Sequence, residues 1–287
     1  MPAYQQLHVN GVEIAVFEWG QPRADQPSIL FAHATGFHAR IWDQVIALLP
    51  DYHCYAIDLR GHGRSSKPAP PYEWHFFAED VVAVGEALGL SGAVGVGHSI
   101  GGHAVTWAAA YQPKLFASLL LIDPVIFSRE LYVGVVDLDH FTARRRNEWK
   151  SPDEMFERFK DRPPFNAWKP QVLRDYVDYG LLPNPNGEGF ILACSPAFEA
   201  ASYNYGTAAN IYPEIATIQI PVTVLRAKST DHFAVSMTDS PTATDLAAQF
   251  AHGVDVPLPQ YSHFIPMEAP ELVAEYVRKA ASEAIRD

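Results

Sequence analysis

Residues 94–107 read VGVGHSIGGHAVTW and place one serine, Ser99, among three closely spaced glycines, Gly97, Gly101 and Gly102. The apolar run that ends at His98 is typical of a buried strand, and the small residues after Ser99 are typical of a tightly packed helix. A chain that passes directly from a strand into a helix must bend sharply, and glycines leave room where larger side chains would collide. The stretch therefore predicts a serine held on a strained turn.

Strand and helix patterns alternate on both sides of this turn. Continuous apolar runs of this length favour strands that are buried on both faces of a parallel sheet. Predicted strands occupy 12–19, 28–33, 52–58, 93–98, 118–123, 220–227 and 253–259. Predicted helices occupy 40–49, 74–88, 101–111, 242–250 and a last segment from about Glu271. Such alternation predicts right-handed βαβ units and an α/β fold.

The alternation stops at Pro124 and resumes after Pro213. Between them the sequence reads as helices and loops that are interrupted by proline and glycine, as in LLPNPNGEG at 181–189. We therefore expect a core domain of residues 1–123 and 214–287 and an inserted, all-helical cap of residues 124–213. An insertion on the carboxyl side of the sheet would cover a site located there.

Composition restricts the class of protein. The chain has 287 residues, of which 48% are hydrophobic and 19% charged, and this favours a globular protein with a sizeable core. Its net charge of −12 disfavours nucleic acid and anionic membranes as partners. The amino terminus lacks a signal-peptide pattern, and no apolar run approaches a membrane span. We expect a cytoplasmic protein, with Cys54 and Cys194 as buried free thiols.

A serine hydroxyl becomes a useful nucleophile only beside a base, with a third group that orients this base. In the predicted topology the base should follow the last strand, and His263 in YSHFIPMEAPELV lies there. His33 is interpreted as a structural histidine at a strand end. The sequence thus predicts Ser99 as nucleophile and His263 as its general base.

Four segments together resemble the α/β-hydrolase superfamily, in the branch that has a helical cap. They are FAHATGFHARIWDQV (31–45), AIDLRGHGRSSKP (56–68), GHSIGG (97–102) and SHFIPMEAPE (262–271). The resemblance covers nearly the whole chain. It implies a mostly parallel eight-stranded sheet flanked by helices, a small-molecule substrate, and no metal or cofactor. It leaves the oligomeric state open.

The resemblance also implies an oxyanion hole made by the backbone N–H groups of Thr35 and Ile100. The family usually has His-Gly where this chain has His33-Ala34, but an N–H donor works with almost any side chain. The triad acid has two candidates. Asp231 lies nearest to the family's usual turn, although here that turn lacks its glycine, and Asp123 matches the position that some relatives use.

Several functions remain open at this level. The preferred hypothesis is a serine hydrolase that cleaves a small, largely apolar carboxylic ester or lactone through an acyl-enzyme. An aminopeptidase or amidase would need a cap carboxylate, Glu199 or Glu148, for a free amine. A low-turnover ligand-binding receptor on the same scaffold is the third class. Residues 144–146, three consecutive arginines, are interpreted as a solvated helix face.

Overall fold

The computed structural model describes residues 1–134, 140–229 and 238–285. Its main element is an eight-stranded sheet in the spatial order β1-β2-β4-β3-β5-β6-β10-β11. These strands are β1 (Ala3–Val9), β2 (Val12–Trp19), β3 (Ile29–Ala32), β4 (Cys54–Ile57), β5 (Ala93–His98), β6 (Phe116–Ile122), β10 (Val222–Ala227) and β11 (Gly253–Leu258).

Strand direction confirms the predicted fold class. The pairs β1–β2 and β2–β4 are antiparallel, whereas every other neighbouring pair in this sheet is parallel. The carboxyl ends of the six parallel strands consequently meet at one edge of the sheet. That edge is where an open α/β sheet places its ligand site.

Helices cover both faces of the sheet. The described helices are α1 (Asp43–Ile46), α2 (His75–Ala87), α3 (Ile100–Tyr111), α4 (Pro152–Phe159), α5 (Pro170–Tyr179), α6 (Pro196–Tyr203), α7 (Tyr212–Ile215), α8 (Ile265–Glu268) and α9 (Pro270–Ala284). Side chains of α1, α5 and α9 belong to one hydrophobic core, and those of α2, α3 and α7 belong to the other. The sheet therefore separates two apolar layers.

Strand β3 shows why an unbroken apolar run predicts a central strand. Ile29 and Phe31 enter one core, while Leu30 and Ala32 enter the other, and all four are fully buried. Each large apolar side chain buried in this way contributes about 1.5–3 kcal/mol. Parallel neighbours β4 and β5 flank β3 on its two sides.

Parts of the predicted pattern differ in the structure. The edge strand β1 was not predicted, because its side chains are mostly exposed and carry little apolar signal. The predicted helix at 242–250 contains only a 3₁₀ turn, Leu246–Gln249. Leu246 and Phe250 are buried, and their spacing resembles that of a helix although the backbone around the turn is irregular.

The prediction that residues 124–213 are all helical is wrong. This segment contains a second sheet, antiparallel and three-stranded, in the order β7-β9-β8. Its strands are β7 (Glu148–Trp149), β8 (Leu181–Pro183) and β9 (Phe190–Leu192). They are too short to show a period of two, and the proline- and glycine-rich stretch between β8 and β9 is the turn of a hairpin.

In the three described ranges, no helix combines the length and the apolar character that crossing a membrane requires.

Candidate active site

Ser99 occupies the predicted turn between β5 and α3. Its φ of 57° and ψ of −122° lie in a region that residues with a side chain rarely adopt. Hydrogen bonds on both sides hold this conformation: Ser99 N–H donates to the Ile122 carbonyl at 3.2 Å, and the Ser99 carbonyl accepts from Val125 N–H at 3.1 Å. The predicted strained serine is confirmed as a backbone feature.

The glycines around Ser99 are required by close backbone approach. A Cβ on Gly97 would overlap the backbone of Gly101 and Gly102, and a Cβ on Gly101 would overlap the Ala32 carbonyl. Helix α3 therefore begins in direct contact with the ends of β3 and β5. This contact fixes the position of Ser99 relative to the loop that follows β3.

Asp123 follows β6 and is completely buried. Its Oδ1 accepts hydrogen bonds from Ala227 N–H at 2.8 Å and from the Ser240 hydroxyl at 2.5 Å, and its Oδ2 lies 2.6 Å from His263 Nδ1. A carboxylate accepts hydrogen bonds but donates none, so His263 Nδ1 carries the hydrogen. The other ring nitrogen, Nε2, is then left as a proton acceptor.

The loop that carries His263 is attached to the end of β5. His263 N–H donates to the Thr238 carbonyl at 2.8 Å, and the His263 carbonyl accepts from His98 Nε2 at 2.8 Å. Burial lowers the pKa of His98 well below its ordinary value, so this ring is a neutral donor at pH 7. The residue next to Ser99 thus holds the backbone of His263.

The structure joins one of the two candidate acids to the histidine. Asp123 contacts His263 directly, and Asp231 lies outside the described residues. The sequence left both acids open, Asp231 for its nearness to the family's usual turn and Asp123 for the position that some relatives use. The contact in the structure joins the end of β6 to the loop that follows β11.

Thr35 and Ile100, the predicted oxyanion donors, lie after β3 and at the start of α3. Both residues are at least nine-tenths buried. Within the described part of the chain, neither backbone N–H has a hydrogen-bond acceptor. Two buried and unpaired N–H groups are what an oxyanion hole requires before a substrate binds.

The predicted structural role of His33 is confirmed, because its Nε2 accepts from Leu59 N–H at 3.0 Å. Nearby, Arg60 forms a buried ion pair with Asp80. Both cysteines are free and buried, as expected.

The interpretation of residues 144–146 as a solvated helix face is wrong for Arg145. The 3₁₀ turn Phe141–Arg144 ends immediately before it, and Arg145 itself is extended. Arg144 and Arg146 are exposed, whereas Arg145 forms an ion pair with the buried Glu199. The extended backbone at Arg145 directs its side chain away from those of Arg144 and Arg146. Nothing in the sequence of three identical residues predicts this change of backbone conformation.

A crevice lies next to the loop that contains Thr35. Gly36, Phe37, Arg145, Tyr176, Leu192 and Cys194 are among the residues that line it, and Ser99 and His263 are not. Burial opposes the charged form of Arg145, but Tyr176 and Glu199 outweigh it and raise the pKa of this guanidinium. Burial raises the pKa of the Cys194 thiol, which disfavours the reactive thiolate.

In the ranges 1–134, 140–229 and 238–285, no group of three or more His, Cys, Asp or Glu side chains is arranged to hold a metal ion.

The mostly parallel sheet and its strand–serine–helix turn are those of the α/β-hydrolases. The sequence pattern of the alpha/beta hydrolase family matches residues 29–276. The chain therefore belongs to this family, as its motifs predicted.

Named relatives match the chain over lengths that differ from one relative to the next. The 3-oxoadipate enol-lactonase 2 of Acinetobacter baylyi is 34% identical over 212 residues, which are 71% of each chain. The bifunctional esterase/perhydrolase of Acinetobacter calcoaceticus is 42% identical over 107 residues, 37% of this chain and only 38% of that relative. The crystal structure of E-2-(acetamidomethylene)succinate hydrolase aligns with a TM-score of 0.78 at 22% identity, over 98% of this chain and 100% of that one.

Proposed function

We propose that this protein is a serine hydrolase that cleaves a small, largely apolar carboxylic ester or lactone. The observation that carries the proposal is the pairing of Asp123 with His263 beside the strained turn of Ser99. Names of two relatives, an esterase/perhydrolase and an enol-lactonase, agree with this substrate class.

In the first half of the proposed reaction, Ser99 Oγ attacks the carbonyl carbon while His263 Nε2 takes the hydroxyl proton. Asp123 keeps the ring in the productive tautomer and stabilises the imidazolium that forms. The N–H groups of Thr35 and Ile100 bind the oxyanion, and their lack of other acceptors means that no hydrogen bond must be broken first.

In the second half, the intermediate collapses, the C–O bond to the leaving group breaks, and His263 returns its proton to that oxygen. Water then attacks the acyl-enzyme with His263 as base, and a carboxylic acid and free Ser99 are released. With a lactone, the leaving hydroxyl stays attached to the acyl group.

The segment 124–213 is proposed to act as a cap over this site. Trp168 and Tyr176 pack against Phe37, with ring centroids 5.8 and 5.3 Å apart. Phe37 follows the oxyanion loop, so this segment is placed to bound the acyl or alcohol part of a substrate. The aromatic contacts favour an apolar group there.

An amine-binding peptidase receives less support. Glu199 is buried and already paired with Arg145, and Glu148 is exposed on β7. Neither carboxylate offers an unpaired, enclosed partner for a substrate ammonium.

Hydrolysis assays with three groups of compounds test the proposal. The compounds are p-nitrophenyl esters of graded acyl length, simple lactones, and amino-acid naphthylamides, each assayed with the wild type and with Ser99→Ala. We expect the wild type to cleave short esters or lactones and the variant to cleave none. Preferential cleavage of naphthylamides would favour the peptidase, and no turnover of any compound would favour a receptor.

A further inference from the structure

The crevice beside the oxyanion loop contains a single charged group. Arg145 is the only residue with a permanently charged side chain among the described residues that line it. His38 also lines the crevice, but burial lowers the pKa of His38 to about 4, so this ring is neutral at pH 7. Phe37 and Leu192 supply apolar wall. The site is thus a small crevice in which one cation lies beside apolar side chains.

Glu199 and Tyr176 hold the guanidinium of Arg145 in place. Its Nη1 donates to Glu199 Oε2, and its Nη2 lies 3.4 Å from the Tyr176 hydroxyl. The Glu199 side chain is 2% exposed, whereas that of Arg145 is 29% exposed. The carboxylate therefore forms the buried support, and the guanidinium is the partner that remains accessible.

The guanidinium also has donors to spare. An arginine side chain carries five N–H donors in a planar fork, and the contacts with Glu199 and Tyr176 use two of them. A planar carboxylate matches such a fork in shape and charge. The charge on Glu199 disfavours a second, doubly charged anion such as a phosphate monoester.

Arg145 lies close to the loop that carries Thr35. Glu199 Oε1 lies within 3.0 Å of the position that a Cβ on Gly36 would occupy, and Gly36 directly follows Thr35. Arg145, bonded to the same carboxylate, is therefore separated from the oxyanion loop by one side chain.

We propose that Arg145 binds a carboxylate carried by the substrate, so that the natural substrate is a small ester or lactone with a free acid group several bonds from the scissile carbonyl. This inference rests on the proposed function and narrows its substrate class. The apolar wall then contacts the carbon chain between the two groups.

A matched pair of esters tests the inference. In p-nitrophenyl hydrogen adipate a carboxylate replaces the terminal methyl group of p-nitrophenyl hexanoate, and the reacting ends are identical. The wild type should prefer the adipate ester in kcat/KM. Arg145→Gln should raise KM for the adipate ester about 10- to 100-fold, because one or two charged hydrogen bonds to the substrate are lost. The same variant should change kcat/KM for the hexanoate ester less than about threefold.

Three further variants keep the result interpretable. Arg146→Gln removes a neighbouring exposed cation that pairs with Glu154, and it should leave both esters unaffected. Arg145→Lys should restore part of the preference. Arg145→Gln combined with Glu199→Gln avoids an unpaired buried carboxylate and should show the same loss as Arg145→Gln, with an unchanged circular dichroism spectrum.

Calorimetry with adipate separates this inference from the proposed function. Ser99→Ala should bind adipate, and the Ser99→Ala, Arg145→Gln double variant should not, whether or not the wild type hydrolyses any ester. Equal adipate binding by both variants, or none by either, would overturn the inference, and so would an equal loss of activity toward both esters. Failure of the proposed function would instead appear as no turnover of either ester.

Discussion

Asp123 Oδ2 lies 2.6 Å from His263 Nδ1 although 140 positions separate these residues in the chain. Asp123 is fully buried, and the exposed fraction of the His263 side chain is 13%. A short contact between a carboxylate and an imidazole in such surroundings is a strong, directional hydrogen bond. It leaves Nε2 as the free nitrogen of His263, and this is the geometry on which the proposed catalysis depends.

Asp123→Asn should lower kcat by about 10⁴-fold, the effect of the equivalent change in a serine-protease triad. Asparagine tolerates the positive φ of 43° at this position, so the backbone should persist. The asparagine NH₂ group would donate to His263 Nδ1 and so favour the unproductive tautomer of the ring. Steady-state kinetics with a p-nitrophenyl ester measures the effect.

Asp231→Asn is the matched comparison, since the sequence offered both acids. We expect its kcat to stay within about threefold of the wild type, because Asp123 already occupies Nδ1 of His263. A collapse of kcat in Asp231→Asn, with activity retained in Asp123→Asn, would assign the acid to Asp231.

Gly101→Ala should destabilise the protein by about 3 kcal/mol, because the added Cβ overlaps the backbone of Ala32 and His33. Chemical denaturation followed by tryptophan fluorescence measures the change. Gly187→Ala is the control: its Cβ would meet only Asn184 Nδ2, at 3.8 Å, and the free energy of unfolding should change by less than about 0.5 kcal/mol. Equal stability of the two variants would show that helix α3 does not pack as described.

Stability should fall as the pH falls from about 6.5 toward about 4, and His103 should be one cause. Burial lowers the pKa of His103 from 6.5 to about 4, so in this window the unfolded chain binds a proton that the folded chain does not. The stability that the neutral His103 contributes is fully present above the pKa of this histidine in the unfolded chain. It is lost as the pH falls below that pKa, by up to about 3 kcal/mol for one such histidine.

His103→Gln tests this dependence. His103 Nε2 lies 3.1 Å from the Ala209 carbonyl, and a glutamine amide can donate to the same oxygen. The variant should therefore lose less stability than the wild type between about pH 7 and about pH 5. Parallel pH profiles for the two proteins would contradict a neutral, buried His103.

Much of the fold could be predicted because its central strands are buried on both faces. The apolar runs at β3 and β5 needed no tertiary information. Strand β1 and the small sheet of β7, β8 and β9 could not be predicted, since β1 is largely exposed and the other strands have only two or three residues each. In both places the strands form because they pair with neighbouring strands, and their own sequences show no clear strand periodicity.

The candidate site, too, could be predicted only in part. Ser99 lies in a local motif, and His263 follows from topology. The contact of His263 with Asp123 depends on the strand order β6-β10-β11, which no local pattern encodes. Arg145 was missed because its direction is set by the backbone after a 3₁₀ turn, and three consecutive arginines look alike in sequence.

The most direct test of the central claim is covalent labelling of the wild-type protein with a fluorophosphonate, followed by peptide mass spectrometry. Loss of fluoride forms a bond between Ser99 Oγ and phosphorus, so we predict one adduct, located on the peptide that contains Ser99. The adduct should be absent from Ser99→Ala and should form much more slowly in His263→Ala. An unmodified Ser99 in protein that still hydrolyses esters, or an adduct on another residue, would contradict the account.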